Sequence, residues 1–179
     1  ATMEGGSGRL LPDPSLIDYF EPPSHWPKWR AIDHALNSPA CCLWITVNVD
    51  SSARNGLPPT AAYVYREYWA DHSSVDQHAR RILDLSGYES YVGTVIDRST
   101  YHLTQSRQEG GRLSIADLYA DEGLYCSPSV GDPFARVERI NVVHRKGLFV
   151  ATACPHLIAS MPDYYAEQSK LDGTYKILN

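Results

Sequence analysis

The order of periodic segments in this chain predicts an α/β fold with a central mixed sheet flanked by helices. Three β-rich runs joined by short connections come first, and helical segments then alternate with two further apolar strands. An all-α or an all-β domain does not accommodate that order. The 179 residues, of which 43% are hydrophobic and 21% charged, suit a single globular domain.

The amino-terminal region differs in composition from the rest of the chain. Residues 1–9 are small, polar and glycine-rich, so they are interpreted as a linker or an expression remnant, and residues 10–179 as a single domain. The prolines between Leu10 and Lys28 exclude a long helix or a central strand there and predict an extended arm. No apolar run approaches the roughly 20 residues needed to cross a bilayer, so no membrane partner is expected.

Three strands are predicted in the first part of the domain. β-branched and aromatic residues dominate the runs Trp29–Asp33, Cys41–Val49 and Ala61–Trp69. The connections between these runs are short, and the second connection contains an Asn-Gly turn pair. An antiparallel meander is therefore the simplest arrangement of the three strands.

Helices and strands alternate in the second part of the domain. Because a helical segment separates the meander from the next apolar run, that run is predicted to be a buried parallel strand. Ser114 is the predicted N-cap of the following helix, and glycines mark several helix ends. The predicted elements are helix Ser74–Ser86, strand Tyr91–Ile96, helix Ser114–Glu122, helix Pro133–Lys146, strand Leu148–Ala151 and helix Pro155–Gln168, the last with an irregularity at Pro162.

Charge, cysteine usage and missing motifs limit the function classes. A net charge of −5 and a pI near 5.8 argue against bulk electrostatic DNA binding, but not against a nuclease whose clustered carboxylates bind metal. The four cysteines contain no CxxC pair and are interpreted as free thiols in a reducing compartment, not as a zinc site. The absence of GxSxG, GxxxxGK[ST], GxGxxG and HExxH motifs disfavours serine hydrolases, NTP-binding loops and zinc hydrolases.

Asp33 and Asp97 are the candidate catalytic and metal-binding residues. Each follows an apolar β-run, and side chains at strand ends are held by the sheet while they still reach solvent. If the two strands are neighbours, the carboxylates converge about 4–7 Å apart, where a divalent cation offsets their repulsion. Carboxylate and water ligands indicate Mg²⁺ or Mn²⁺, in a two-metal arrangement for phosphodiester hydrolysis.

Simpler interpretations of the same residues stay open. An aspartate that ends a strand is most often a turn former or a helix cap, and Asp97 is also compatible with the start of a loop. Glu67, in the run YREYW, is a possible additional ligand, although an Arg-Glu pair at a sheet edge is more often solvated. His34 is the other possible site residue, and the alternative for it is a polar surface role.

Four segments carry a family resemblance. They are WRAIDHALNSPACCLW from Trp29 to Trp44, AYVYREYW at 62–69, TVID at 94–97 and CPHLIASMPDYY at 154–165. In order and spacing they resemble the ribonuclease H-like nuclease domain of tailed-phage terminase large subunits, from about Leu10 to the last residue. In that domain an aspartate ends the first strand, a proline follows in the turn, and the second strand carries a Leu-Trp-like pair.

The resemblance implies a ribonuclease H-like fold and a two-metal endonuclease that cuts double-stranded concatemeric DNA during viral genome packaging. It assigns Asp33 as the first-strand aspartate and Asp97 as the acidic residue of the fourth strand. The partners that it implies are double-stranded DNA, a terminase ATPase domain, the small terminase subunit and the portal. The location that it implies is the host cytoplasm and, transiently, the viral procapsid.

The sequence departs from the family pattern in two places. Many relatives have a glycine two residues beyond the first aspartate, where this chain has Ala35. The family's third metal-binding aspartate lies in a final helix with a DHxxDAxRY type of pattern, which this chain lacks, so we expect an excised domain without that helix. Two rival functions remain: another ribonuclease H-like nuclease of the resolvase or transposase type, and a non-catalytic docking module with a degenerate site.

Overall fold

A computed structural model of the chain describes residues 8–9, 13–34, 39–102, 105–106, 112–129, 133–163, 165–168 and 175–178. Its helices are α1 (Val75–Ser86), α2 (Ile115–Asp121), α3 (Pro133–Gly147) and α4 (Pro155–Ser160), with 3-10 turns at Arg98–Tyr101 and Met161–Asp163. Its strands are β1 (Gly8–Arg9), β2 (Ser15–Ile17), β3 (Lys28–Asp33), β4 (Ala40–Val47), β5 (Ala62–Ala70), β6 (Gly93–Ile96), β7 (Gln105–Ser106), β8 (Arg112–Leu113), β9 (Ser127–Pro128), β10 (Leu148–Ala151), β11 (Tyr165–Gln168) and β12 (Tyr175–Leu178).

Within the described residues, seven strands form one mixed sheet in the order β2-β10-β5-β4-β3-β6-β9. β4 is antiparallel to both of its neighbours, and the other adjacent strands are parallel to each other. The predicted meander is confirmed, because β3, β4 and β5 are adjacent. The predicted parallel strand before Asp97 is confirmed as β6, which follows α1 and lies beside β3. The predicted α/β architecture is therefore correct.

Different helices cover the two faces of this sheet. Residues paired directly across neighbouring strands lie on the same face, so Trp44 and Arg66 share one face and Asp33, Cys41 and Trp69 share the other. The Trp44 and Arg66 side chains both donate hydrogen bonds to α1, and α1 contacts α2. We call this the α1/α2 face. We call the other the α3/α4 face, because α3 and α4 pack against it.

The α1/α2 face carries much of the core. Its largest side chains are fully buried, because the rings of the strands interlock with apolar residues of the two helices. Burial of each such side chain stabilises the fold by roughly 1.5–3 kcal/mol. The fully buried residues of this layer include Trp44, Ile82, Ile96, Tyr119 and Leu124.

The helix ends agree with the predicted capping residues. The Ser74 backbone N–H donates to the side chain of Gln77 at 3.0 Å before α1. The Ser114 hydroxyl accepts a hydrogen bond from the backbone N–H of Asp117 at 3.1 Å, which is a capping arrangement. Gly87 follows α1 with φ of +54°, a left-handed value that favours glycine.

The predicted final helix, Pro155–Gln168, is wrong beyond its first turns. α4 ends at Ser160, a 3-10 turn follows, and residues 165–168 form β11, which pairs with β1 and β12. Pro162 gives the physical reason, because it has no N–H to continue a helix. The segment after it satisfies its backbone groups in a strand ladder instead. Residue 164 lies outside the described residues.

The amino-terminal segment contributes two short strands. Residues 1–7 of the predicted linker lie outside the described residues, whereas Gly8–Arg9 pair with β11. Within the predicted arm, Ser15–Ile17 form an edge strand parallel to β10, a position at which flanking prolines are tolerated. No helix in the described ranges is long and apolar enough to cross a membrane.

Candidate active site

Asp33 is the last residue of β3, and its side chain is exposed. It pairs with Cys41 of β4, which pairs in turn with Trp69 of β5, so the three residues form one row on the α3/α4 face. The row lies at the end of the sheet where the parallel strands β3, β5, β6 and β10 have their carboxyl ends. In open α/β sheets this is the end at which ligands bind.

Asp97 follows β6 directly and is partly buried. Ile96 pairs with Ile32 in parallel register, so Asp33 and Asp97 occupy matching positions at the carboxyl ends of β3 and β6. Neighbouring strands of a sheet lie about 4.8 Å apart. Asp97 also caps the 3-10 turn that follows, since its carboxylate accepts a hydrogen bond from the Ser99 backbone N–H at 2.9 Å. The condition that the two strands are neighbours is therefore met, and the sharing of a metal by the two carboxylates stays a prediction.

The carboxylates of Asp33 and Glu67 lie on the two strands that flank Cys41. Burial raises the pKa of the Cys41 thiol to about 12, and the charges of Asp33 and Glu67 add to that increase. Two carboxylates on the α3/α4 face therefore act on one thiol that lies between their strands. Carboxylates that lie on one face at the same end of a sheet favour binding of a cation.

Both carboxylate oxygens of Glu67 bind the start of α4. They accept hydrogen bonds from the backbone N–H groups of His156 and Leu157, each at 2.9 Å. N–H groups in the first turn of a helix have no acceptor inside the helix, so Glu67 supplies one. Glu67 would have to give up both hydrogen bonds to act as a metal ligand.

The side chain of His34 lies on the opposite side of the sheet from Asp33. Its Nδ1 is 3.0 Å from the Tyr119 hydroxyl, and its ring packs edge-on against His78 with centroids 5.8 Å apart. Burial, together with the nearby charge of His78, holds the pKa of His34 below its ordinary value. The neutral ring and the fully buried Tyr119 thus fix the backbone directly after Asp33.

The donor chemistry at the two aspartates fits Mg²⁺ or Mn²⁺. Mg²⁺ is usually held by one or two carboxylates together with waters and substrate phosphates, and Asp33 and Asp97 would supply the carboxylates. Within the described part of the chain, no group of three or more His, Cys, Asp and Glu side chains is placed to hold a metal ion. The pair is therefore suited to a cation that also binds the substrate.

Two further features of the α3/α4 face were not predicted. The rings of Trp69 and His156 stack with centroids 5.0 Å apart and an angle of 3° between their planes. The alternation in YREYW places Trp69 on the same face as Glu67, but no local pattern predicts a contact with residue 156. An apolar groove of about 470 Å³ lies under α3 and α4, and its lining includes Ile45, Val64, Arg139, Ile140, Val143 and Lys146.

No protein-family model and no curated protein matches the sequence. Solved structures match in three dimensions. The P22 large terminase nuclease domain aligns with a TM-score of 0.67 and 16% identity, over 97% of this chain and 85% of that one. A large terminase from a thermophilic bacteriophage aligns with a TM-score of 0.72 and 13% identity, over 97% of this chain and 42% of that one. The chain has the fold of a large-terminase nuclease domain.

This terminase nuclease fold confirms the predicted ribonuclease H-like class. The large terminase nuclease from thermophilic phage G20c, solved with bound magnesium, aligns with a TM-score of 0.59 and 10% identity, over 99% of this chain and 88% of that one. The chain therefore spans most of the length of the P22 and G20c nuclease domains and less than half of the longer large terminase.

Proposed function

We propose that this chain is a divalent-metal-dependent endonuclease that cuts double-stranded DNA. The observation that carries the proposal is the position of Asp33 and Asp97 after adjacent parallel strands of a terminase nuclease fold. The G20c nuclease, which has the same fold, binds magnesium. Carboxylate ligands at the carboxyl end of a sheet suit Mg²⁺ or Mn²⁺ at the same place in this chain.

Asp33 and Asp97 would hold the ion, and their neighbours would fix their geometry. When bound, Mg²⁺ or Mn²⁺ lowers the pKa of a coordinated water and neutralises charge on the phosphate. β3 and β6 set the spacing of the two carboxylates, and the Ser99 N–H orients Asp97. The contact between His34 and Tyr119 holds the backbone after Asp33. Ligands built on strands keep a more constant geometry than ligands on loops.

The biological role that we propose is the cutting of concatemeric DNA during viral genome packaging. Support comes from the fold shared with several large terminases. The partners in this proposal are double-stranded DNA, a terminase ATPase domain, the small subunit and the portal. The proposed location is the host cytoplasm and, transiently, the procapsid.

A non-catalytic docking module is the second candidate function. It is favoured because no group of three or more His, Cys, Asp and Glu side chains within the described ranges is placed to hold a metal ion. Under this alternative Asp97 serves as the cap of the Arg98–Tyr101 turn and Glu67 as the anchor of α4. Under the nuclease proposal the same contacts orient the ligands.

Plasmid cleavage separates these functions. We expect nicking and linearisation of supercoiled plasmid with Mn²⁺ or Mg²⁺, none with EDTA, and loss of cleavage in Asp33→Asn and Asp97→Asn. Asp84→Asn, on an exposed position of α1, is the matched control and should cleave normally. Cleavage that persists in EDTA or in Asp33→Asn would refute the proposal. Strong preference for a four-way junction over plasmid would favour the resolvase alternative.

A further inference from the structure

The stacked rings of Trp69 and His156 form an aromatic surface beside the two aspartates. Trp69 is 42% exposed although His156 stacks on it at 5.0 Å, and His156 is itself exposed. By contrast, Trp44 of β4 is fully buried and Trp29 of β3 is partly buried. An exposed indole at the carboxyl end of β5 is therefore not a core residue of the sheet.

Two anchors hold the stacked pair in a fixed orientation. Trp69 is in β5, and Glu67, two residues earlier on the same face, accepts hydrogen bonds from the first N–H groups of α4. His156 is in that first turn, so the Glu67 carboxylate sets the position of its ring relative to the indole. A ring whose orientation is fixed before binding loses little conformational entropy when a ligand stacks on it.

The register of the sheet sets the distance from the stack to the candidate metal ligands. Asp33 pairs with Cys41 and Cys41 with Trp69, so Trp69 lies two strand spacings, or about 10 Å, from Asp33 on the same face. That distance corresponds to about three nucleotide steps along the axis of a DNA duplex, and an extended single strand covers it in fewer. A strand whose phosphate lies at Asp33 can therefore place a nearby base at Trp69.

The charge of this region decides which part of DNA the stack can bind. The chain carries a net charge of −5, and the Asp33 and Glu67 carboxylates lie on the same face as the stack, so net charge does not favour contact between the stack itself and phosphates. Stacking between a base and an aromatic ring does not depend on positive charge and accepts any base. Bases inside an intact duplex are already stacked on each other, so only an unpaired base can reach the indole.

We propose that the Trp69–His156 stack binds an unpaired nucleobase of the DNA strand being cut, within about three nucleotides of the bond at Asp33. The stack then adds affinity for DNA that has unpaired bases near the cut, such as a gap, a flap or a frayed end. The identity of the ligand as DNA rests on the proposed nuclease function. The binding step itself needs neither metal nor cleavage.

The test is metal-free binding of a fluorescein-labelled single strand of about 12 nucleotides, within the range of known single-strand site sizes, compared with a hairpin duplex of the same strand, to the full chain in EDTA. Trp69→Ala should weaken single-strand binding about 5- to 100-fold, with duplex binding changed less than about twofold. Trp69→Phe should retain most of the affinity. The matched control is Tyr88→Ala, which removes a fully exposed ring after α1 and should leave both affinities unchanged.

Unchanged single-strand affinity in a folded Trp69→Ala chain would overturn the proposal and leave the stack as a cap on α4 or a contact for another protein. Equal losses on single strand and duplex would overturn it as well. If Trp69→Ala does not fold, the tryptophan fluorescence of the wild type minus that of Trp69→Phe gives the emission of the Trp69 indole. Quenching of that difference by the single strand supports stacking, and its absence refutes it.

These results are independent of the outcome of the cleavage assay. Asp33→Asn should bind the single strand at least as tightly as wild type, because it leaves the stack intact and removes a negative charge. A chain that binds single strands through Trp69 but never cuts plasmid would refute the nuclease and retain the stack. Normal plasmid cleavage by the wild type together with normal single-strand binding by Trp69→Ala would retain the nuclease proposal and refute binding at the stack.

Discussion

The α1/α2 face and the α3/α4 face of the sheet differ in how they use their polar side chains. On the α1/α2 face, these side chains tie the strands to each other and to the helices. The Trp44 indole donates to the Ser86 hydroxyl at 3.1 Å, and Arg30 donates to Ser86 and to Thr94. Tyr68 contacts His78 at 2.8 Å in the same layer. These contacts hold the architecture together.

On the α3/α4 face, the packing is looser and the acidic side chains lie toward one end. The groove of about 470 Å³ separates part of the sheet from α3 and α4. Asp33 and Val95 are exposed on β3 and β6, and Trp69 is exposed on β5. This difference indicates that the contacts that stabilise the fold lie mainly on the α1/α2 face, so the α3/α4 face can accommodate a binding site. Substitutions on the two faces should therefore have different consequences.

The largest expected effect is on activity, from Asp33→Asn on the α3/α4 face. Metal-based charge stabilisation is worth several kcal/mol, so its loss should lower the cleavage rate by about 1000-fold. The free energy of unfolding should stay the same or rise slightly, because one of two repelling carboxylates is removed. Plasmid cleavage and urea unfolding measure the two quantities. A large decrease in the free energy of unfolding would mean that Asp33 stabilises the fold, which would contradict the difference inferred between the two faces.

A matched pair of tryptophans should give the next largest effect, now on stability. Trp44→Ala removes a fully buried ring and its hydrogen bond to Ser86, so it should lower the free energy of unfolding by about 3–5 kcal/mol. Trp69→Ala should lower it by about 1 kcal/mol, the size of one aromatic stacking contact. Chemical denaturation of both variants measures the difference. Equal losses of unfolding free energy would contradict the inference that contacts on the α1/α2 face stabilise the fold more than those on the α3/α4 face.

Added methyl groups should distinguish the packing of the two faces. Ala79 is fully buried on α1, and Ala79→Val should destabilise the chain by about 1–3 kcal/mol through overpacking. Val64 lines the groove, and Val64→Ile should be neutral or stabilise by about 0.5 kcal/mol because there is space for the methyl group. Thermal unfolding of both variants tests this. Destabilisation by Val64→Ile would mean that the groove is not accessible to a side chain from β5.

The smallest expected effect is a pH dependence that belongs to the α1/α2 face. Burial holds the pKa of His78 below its ordinary value of 6.5, although a hydrogen bond to the Ser73 backbone opposes the shift. A lowered pKa means that the unfolded chain binds the proton first, so stability is complete above about pH 6.5 and falls as the pH drops below it. His78→Gln should make that fall shallower, and His34 retains part of it because its pKa is also lowered. An unchanged pH profile of unfolding in His78→Gln would contradict this assignment.

Local patterns predicted β3, β4, β5, β6 and β10, and short connections predicted the meander, whereas the short edge strands β2 and β9 were not predicted. The helical crossover between two apolar runs predicted that β6 is a parallel strand, but its pairing with β3 was only a condition of the predicted site, and its register is seen in the structure alone. The contacts that long-range folding creates could not be predicted in the same way. Glu67 binds α4 through backbone atoms of residues far along the chain, and no side-chain pattern encodes a backbone donor. The predicted final helix was too long because part of its sequence forms β11, which pairs with β1 from the other end of the chain.

Anomalous diffraction from a crystal of the chain soaked in Mn²⁺ is the most direct test of the metal site. The account predicts one or two Mn²⁺ peaks within about 2.0–2.3 Å of carboxylate oxygens of both Asp33 and Asp97, at the carboxyl ends of β3 and β6. The same soak of Asp33→Asn should lose the peaks, and Asp84→Asn should keep them. A peak held elsewhere, or no peak at these two residues at millimolar Mn²⁺, would contradict the account.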